Sequence, residues 1–162
     1  MTPQSLQERY APSSVCFGCG PANEEGLKIR SVIEGDSIVA RWTPRPYHHA
    51  FENVLSGGII STILDCHCNW TGAYSLMVKA GGEAPPPTVT ASIFVEFLKP
   101  TPIAPLLLEA RAKETARRKA LVEATLKADG VVTATLRGTF VAVRADHPAA
   151  RRWRGDGPQG RG

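Results

Sequence analysis

Residues 55–65, LSGGIISTILD, place two consecutive glycines at the start of a long apolar run. The run has helical spacing, and Ser56 is a residue type that caps helices by accepting from a first-turn N–H. Gly57 and Gly58 leave the first-turn amides unshielded, and free N–H groups at a helix start attract negative charge. Paired glycines are poor helix formers, which favours a need for backbone access over close packing alone. We therefore predict an oxyanion site at these glycines, with Ser56 as the helix cap.

Asp65 is the second candidate for chemistry, because it is the one acid within the apolar stretch 56–79. A carboxylate in such a setting is costly to ionise unless it is paired or hydrogen-bonded, and this favours a functional role. It would act as a general base that activates water or as a nucleophile that attacks directly. The residues alone leave both roles open.

The spacing between the glycines and Asp65 predicts a dimer. Asp65 follows Gly58 by about two helical turns, so the two share a face but lie about 10 Å apart along the axis. One carbonyl group therefore cannot be held by the Gly57 amide and attacked by Asp65 of the same helix. Two such helices related by a two-fold axis would bring Asp65 of one chain to Gly57 of the other, and this isologous arrangement is the commonest in oligomers.

The cysteines suggest half of a metal site on each of two segments. Cys16 and Cys19 form a CxxC pair, and Cys66, His67 and Cys68 are consecutive. Positions two apart on a helix point about 200° away from each other, so at most one residue of the second group joins the first pair. A closed zinc site usually needs four ligands. We therefore expect no metal site.

The surrounding sequence predicts one helix and six strands. Residues 56–79 form the helix, with a broad apolar arc that implies burial on several sides. Alternating or β-branched residues predict strands at 27–33, 37–43, 88–98, 105–115, 119–128 and 131–143. The links between the last four are short, and Asp129–Gly130 is typical of a hairpin. We predict an α+β fold in which two strands and a four-strand antiparallel meander wrap around one long central helix.

The composition is that of one globular domain. The chain has 162 residues, of which 43% are hydrophobic and 21% charged, and this length suffices for a real core. The first ten residues are polar, so no secretory leader is expected, and no apolar run is long enough for a membrane span. Four cysteines without a leader indicate reduced thiols and a cytoplasmic location. No partnership with a membrane is expected.

The two ends of the chain differ from this domain. We predict an N-terminal extension at 1–15, a catalytic domain at 16–143 and a flexible basic tail at 144–162, rich in Gly, Pro and Arg. Within the tail, RRWR at 151–154 has the residue types that bind phosphate and stack on bases. A solvated terminus is the favoured interpretation, so no nucleic-acid partner is expected.

Four stretches resemble the PaaI-like group of hotdog-fold acyl-CoA thioesterases. They are CFGCGPANEEGLKIR at 16–30, LSGGIISTILD at 55–65, TVTASIFVEFLKPTPI at 88–103 and DGVVTATLRGTFV at 129–141. The helix motif of that group is His-Gly-Gly with an acid nine residues after the histidine. Here Gly57, Gly58 and Asp65 match, whereas Ser56 replaces the histidine. The resemblance covers nearly everything from Cys16 to Val143.

The resemblance implies an acyl-CoA thioesterase with Asp65 as base or nucleophile and the Gly57 amide as oxyanion donor from the partner chain. It implies a homodimer or a dimer of dimers, and no cofactor. Thr90 matches the position that positions water in related enzymes, and Ser92, two residues on, is expected on the same strand face. The candidate substrate-binding residues are His48, His49, Asn53, Ser92, Lys99, Arg117, Arg118 and Lys119.

These candidates have separate roles. His48 and His49 lie in the loop before the helix, where either would replace the missing motif histidine, and Asn53 lies in the same loop. Lys99 and the basic turn 117–119 are the candidates for the phosphates of coenzyme A, although a solvated basic turn explains them nearly as well. Ser56 is expected to cap the helix rather than act as a nucleophile, because no histidine lies at a helical spacing to deprotonate it.

Two other functions occur as alternatives to thioester hydrolysis on this fold. Hotdog dehydratases and hydratases carry a catalytic histidine in a proline- and glycine-rich loop or a Gly-Asp-x-Asn-Pro run, and neither is present here. A non-catalytic acyl-CoA-binding protein is the alternative, because Ser56 replaces the usual histidine.

Overall fold

The computed structural model of the protein describes residues 2–154. Its helices are α1 (Leu6–Tyr10), α2 (Gly57–Ala80) and α3 (Pro148–Arg154), with a 3-10 turn at Pro46–His48. Its strands are β1 (Val32–Glu34), β2 (Ser37–Trp42), β3 (His49–Phe51), β4 (Val54–Leu55), β5 (Thr88–Phe97), β6 (Leu106–Thr115), β7 (Lys119–Ala128) and β8 (Val131–Ala142). No helix within residues 2–154 has both the length and the apolar character needed to cross a membrane.

Six strands form one antiparallel sheet in the order β1-β2-β6-β7-β8-β5. Helix α2 packs on one face of this sheet, against β5, β6, β7 and β8. The side chains between them form the core, in which Phe140, Ile63, Leu64 and Leu108 are fully buried. The predicted α+β architecture, an antiparallel sheet wrapped around one long helix, is confirmed.

The predicted four-strand meander is wrong in one connection. Strands β6, β7 and β8 follow one another as neighbours, but β5 pairs with β8 and not with β6. The segment between β5 and β6 contains Pro100, Pro102 and Pro105, and proline has no N–H for a sheet ladder. This segment therefore crosses the end of the sheet instead of forming a hairpin, which leaves β5 at one edge.

The predicted strand at 27–33 is also shorter than expected, since β1 covers Val32–Glu34 alone. The residues before it bond to a loop rather than to a strand, and Lys28 among them has a positive φ of 53°. Leu27 N–H donates to the Phe17 carbonyl (2.7 Å) and Ile29 N–H to the Gly18 carbonyl (3.0 Å). Leu27 and Ile29 are buried. The alternation of apolar and polar residues in this segment therefore comes from burial beneath the loop and not from pairing in the sheet.

Helix α2 matches the predicted range 56–79 to within one residue. Its interior contains no proline, and twelve of its residues are buried, which explains the broad apolar arc. Gly81 ends it in the left-handed conformation (φ 65°), where glycine is favoured. The first intrahelical bond runs from Ile60 N–H to the Ser56 carbonyl (3.0 Å).

A buried polar network joins the N-terminal segment to α2. The His67 Nδ1 atom lies 2.8 Å from the Ser31 hydroxyl, and Nε2 lies 3.1 Å from the Ile38 carbonyl oxygen. Gln7 donates to the Ser31 hydroxyl (2.9 Å) and accepts from the Ser31 N–H (2.8 Å). All four residues are buried, so each polar atom depends on these partners.

The two terminal segments pack on the domain. In α1, Ser5 and Glu8 form a capping box, and Leu6 belongs to the core. In α3, the ring of Trp153 lies 4.1 Å from that of Trp70 of α2, and Trp153 is buried. This helix corrects the prediction of a flexible tail for residues 148–154, because the apolar ring gains a packing partner. The rest of the predicted tail, 155–162, lies outside the described residues.

Candidate active site

The N-terminus of α2 exposes backbone amides, as the glycine pair predicts. Gly57 is the first helical residue, and its N–H and that of Gly58 precede the first intrahelical bond. Ser56 occupies the N-cap position (φ −57°, ψ 130°), but its side chain makes no capping hydrogen bond. The prediction that its hydroxyl caps the helix is therefore wrong. The entry to the helix is fixed instead through the backbone, because Ser56 N–H donates to the His48 carbonyl (2.9 Å).

The loop histidines lie beside this helix start, in and before a small hairpin formed by β3 and β4. The His48 ring stacks on Trp42 at 5.5 Å, and its Nδ1 accepts from the Arg45 N–H (3.0 Å). Burial lowers the pKa of His48, and the Arg45 charge lowers it further. His49 is exposed in β3, and Asn53 is exposed in the hairpin turn with φ 60°. The His48 ring is thus engaged with its own loop.

Asp65 is positioned by a strand on the other side of the site. The Thr90 hydroxyl of β5 donates to Asp65 Oδ1 at 2.7 Å, and Asp65 is half-buried. Asn69, one helical turn after Asp65, places its Nδ2 within 3.5 Å of the same hydroxyl and bonds to the Thr88 side chain. Helix and strand therefore fix the Asp65 carboxylate between them.

Ser92 does not share the face of Thr90. A bulge interrupts β5 between these residues, so Thr90 pairs with Phe140 and Ser92 with Thr139. Consecutive residues of β8 point to opposite faces of the sheet, and their two partners do the same. The prediction that placed Ser92 beside Thr90 is therefore wrong, because the bulge shifts the alternation by one residue.

A cavity of about 390 Å³ opens beside Asp65 and Thr90. Its walls come from the N-terminal loop, α2, β5 and α3, and they include Asn69, Trp70, Cys16, Cys66 and Trp153. Of the predicted catalytic residues, Asp65 and Thr90 line it, whereas Gly57 does not. The indole N–H of Trp153 is buried and has no hydrogen-bond partner within residues 2–154.

Sequence reasoning missed several of these wall residues. Asn69 stands four residues after Asp65, a spacing that places both on one helix face, and this signal was available. The prediction of a flexible tail includes Trp153 because the segment 144–162 is rich in Gly, Pro and Arg and shows no apolar period. Its burial against Trp70 also removes it from the base-stacking role considered for the RRWR run.

Within one chain, Gly57 and Asp65 lie against different parts of β5. A Cβ atom added at Gly57 would lie 3.3 Å from the Phe97 ring, near the end of the strand. Asp65 contacts Thr90, near its beginning. The two halves of the predicted site are therefore apart in the single chain, as the helix spacing requires.

The basic candidates divide between the two ends of the sheet. Lys99 lies just after β5, where its N–H donates to the Thr133 carbonyl (3.2 Å). Arg118 lies near the start of β5, where its guanidinium donates to the carbonyl of Ala142, the partner of Thr88. Arg117 and Lys119 flank it, and all four cations are exposed. One chain therefore does not bring Lys99 and the 117–119 turn together.

Comparison with known proteins points to one family. Residues 73–141 match the family described as the acyl-CoA thioesterase N-terminal domain. A thioesterase superfamily protein from Shewanella loihica is 30% identical, with a TM-score of 0.60 over 76% of this chain and 98% of that one. The sequence has no match among curated proteins.

Two structures of lower identity share the fold. One is a phenylacetic acid degradation-related protein from Ralstonia eutropha, with 18% identity and a TM-score of 0.65 over 86% of this chain and all of that one. The other is the E. coli PaaI protein, with 16% identity and a TM-score of 0.57 over 73% and 81% of the two chains. The 30% identity to the Shewanella protein shows that the chain belongs to the hotdog-fold thioesterase superfamily.

Proposed function

We propose that the chain hydrolyses an acyl-CoA thioester to a free acid and coenzyme A. The observation that carries this proposal is the 2.7 Å hydrogen bond from the Thr90 hydroxyl to Asp65 at the wall of a cavity of about 390 Å³. This volume is in the range of small-molecule sites. A carboxylate held beside it has the chemistry needed to activate water or to attack a carbonyl.

Asp65 carries the chemical step in one of two ways. As a base, it takes a proton from a water molecule whose oxygen attacks the thioester carbon, and the C–S bond then breaks to release the coenzyme A thiolate. As a nucleophile, its own oxygen attacks, the thiolate leaves, and water hydrolyses the resulting anhydride. Both routes place negative charge on the carbonyl oxygen. The Gly57 amide stabilises this charge, and such a donor contributes about 3 kcal/mol to lowering the barrier.

A second copy of the chain completes the site in this proposal. Strand β5 is an edge of the sheet, and Ile93, Phe94 and Phe97 on it are exposed. Open edges with large apolar side chains are normally covered by a partner. Antiparallel pairing of two β5 strands about a two-fold axis would cover this edge in both subunits.

The register of that pairing follows from the contacts of the two catalytic groups. Because the bulge between Thr90 and Ser92 takes up one residue, a two-fold axis at Phe94 sets Thr90 of one subunit opposite Phe97 of the partner subunit. Asp65 bonds to Thr90, and Gly57 lies against Phe97. The pairing therefore brings Asp65 of one subunit towards Gly57 of the partner subunit, as a shared site requires.

The same pairing supports a binding region for coenzyme A. Lys99 follows the end of β5, and Arg118 lies beside its beginning. Antiparallel strands place the end of one β5 beside the beginning of the other. Lys99 of one subunit and the 117–119 turn of its partner would then lie at one end of the dimer, where their charges suit phosphate groups.

The four free thiols agree with a reducing compartment, and we propose the cytoplasm.

The test is thiol release from a panel of acyl-CoA substrates that vary in chain length and include aromatic acyl groups. The wild type should turn over at least one of them, and Asp65→Asn should lower kcat by about 10² or more while the circular dichroism spectrum stays unchanged. Asp36→Asn, the same change in an exposed turn, is the matched control and should leave kcat unaltered.

Two outcomes would contradict this assignment. Wild-type turnover by a folded Asp65→Asn protein would remove Asp65 from the chemistry. Binding of acyl-CoA by the wild type without any thiol release would make the chain a non-catalytic acyl-CoA-binding protein, which is the alternative raised by Ser56 in place of histidine. A single turnover in ¹⁸O-labelled water identifies a nucleophilic Asp65 when the label enters its carboxylate, because only water attack on the Asp65 carbon of the anhydride places it there.

A further inference from the structure

Three cysteine thiols from two distant parts of the sequence meet at the cavity wall. The Sγ atoms of Cys16, Cys19 and Cys66 all lie within 4.8 Å of one another, and those of Cys16 and Cys66 are 3.8 Å apart. None of the three is in a disulfide. Cys68, two residues further along α2, is fully buried in the core and outside this group. We call Cys16, Cys19 and Cys66 the thiol cluster.

Two glycines allow the N-terminal loop to pack closely at the thiol cluster. A Cβ atom at Gly18 would lie 2.4 Å from Cys66 Sγ, and one at Gly20 would lie 2.4 Å from the Cys16 nitrogen. Gly20 N–H donates to the Cys16 carbonyl (2.8 Å), which closes the CxxC turn. Side chains larger than hydrogen at 18 and 20 would therefore separate the thiols.

The three thiols bond to one another. The pKa of the Cys16 thiol is lowered, mainly by hydrogen bonds from the Cys19 and Cys66 thiols and further by the backbone N–H groups of Cys19 and Gly18. The pKa values of Cys19 and Cys66 are raised, mainly because their protons bond to Cys16 and because both are buried.

We propose that the thiol cluster binds one zinc ion through Cys16, Cys19 and Cys66, with the fourth coordination position open to the cavity. Thiolates select zinc and other soft ions over oxygen-preferring ions such as Mg²⁺. Zinc–sulfur bonds of about 2.3 Å in a tetrahedral site place sulfur atoms about 3.8 Å apart, which is the Cys16–Cys66 distance. Binding requires all three thiols to be deprotonated, so the protons that they carry are released and the zinc-loaded site has one net negative charge.

This site differs from the expectation drawn from the sequence. A CxxC pair with one further ligand seemed insufficient, because a closed structural site uses four protein ligands. The structure supplies Cys66 as the third ligand, and a cavity in which water can be the fourth. The ion would join the N-terminal loop to α2 across fifty residues of sequence, from Cys16 to Cys66.

The test is zinc binding by the full, reduced chain, measured by competition with a chromophoric chelator and by the sulfur-to-cobalt charge-transfer absorption of the Co²⁺ form. We expect one ion per chain and proton release on binding. Cys66→Ala should weaken binding by about 100-fold or more, since even the loss of groups outside the ligand shell costs 10–100-fold. Cys68→Ala, the same change two residues away, should bind as the wild type does.

Three results would overturn the proposal. They are no stoichiometric zinc binding by the reduced wild type, binding by Cys66→Ala equal to that of Cys68→Ala, or a cobalt spectrum without sulfur ligation. Circular dichroism checks that each variant is folded, and Cys16→Ser provides a second ligand variant outside the helix. Because every readout concerns the ion, the result does not depend on whether the chain proves to be a thioesterase.

Discussion

The buried ring of His67 makes the stability of the fold depend on pH. It is fully buried, bonded to the Ser31 hydroxyl through Nδ1 and to the Ile38 carbonyl through Nε2. The carbonyl requires a proton on Nε2, so Nδ1 of the neutral ring accepts from the Ser31 hydroxyl. A second proton on the ring would place an unpaired charge in the core.

The sign and size of the effect follow from this environment. Burial lowers the pKa of His67 from 6.5 to about 4. At pH values between these, the unfolded chain binds a proton that the folded chain does not, so stability is full above pH 6.5 and is lost as the pH falls towards 4. For such a shift, at 1.36 kcal/mol per unit, the loss between pH 7 and pH 5 is about 2 kcal/mol.

Urea unfolding at pH 7 and pH 5, at one fixed protein concentration, measures this loss. His67→Gln should be less stable at pH 7, because the buried bonds change, but its decrease from pH 7 to pH 5 should be about 2 kcal/mol smaller than that of the wild type. His49→Gln removes an exposed histidine and should keep the wild-type decrease. An equal decrease in the wild type and in His67→Gln would refute the assignment of this pH dependence to His67.

Two further variants test the site directly. Thr90→Val removes the hydroxyl that donates to Asp65, so kcat for thiol release should fall about tenfold or more while the free energy of unfolding changes by about 1 kcal/mol; an unchanged kcat would show that this bond has no role in turnover. Ser56→Ala removes a hydroxyl that makes no capping bond, so urea unfolding should change by less than about 0.5 kcal/mol, whereas a loss near 1 kcal/mol would indicate a cap in solution.

The fold could be predicted where local patterns decide it. The helix at 56–79 and the strands at 105–115, 119–128 and 131–143 follow from periodicity and short links. The position of β5 in the sheet could not be predicted in this way. A strand's own residues show that it is a strand, but they do not show which neighbouring strand it pairs with. The strand predicted at 27–33 was too long, because burial under a loop produces the same alternation of apolar and polar residues as a half-buried strand.

The site could be predicted in part for similar reasons. The sequence predicts Asp65 and Thr90 as site residues, and a hydrogen bond joins them in the structure. The face of Ser92 could not be predicted, because no sequence pattern marks the bulge before it. The role of the Ser56 side chain could not be predicted either, because serine is common at helix caps but its presence does not fix a hydrogen bond. The thiol cluster could not be predicted, since only the packing of the N-terminal loop on α2 brings Cys66 to the CxxC pair.

Subunit mixing tests most directly whether Asp65 of one subunit and the Gly57 amide of the partner subunit form one site. Gly57→Pro removes the amide donor at the first helical position, where proline is tolerated and where Ser56 already has a compatible ψ of 130°; Gly57→Ala keeps the donor and is its control.

Gly57→Pro and Asp65→Asn chains should each be inactive alone. Mixed in equal amounts and allowed to exchange, they should recover about one quarter of the wild-type activity, because half of the dimers are hybrids and each hybrid has one intact site. Verified hybrids that remain inactive would contradict the shared site.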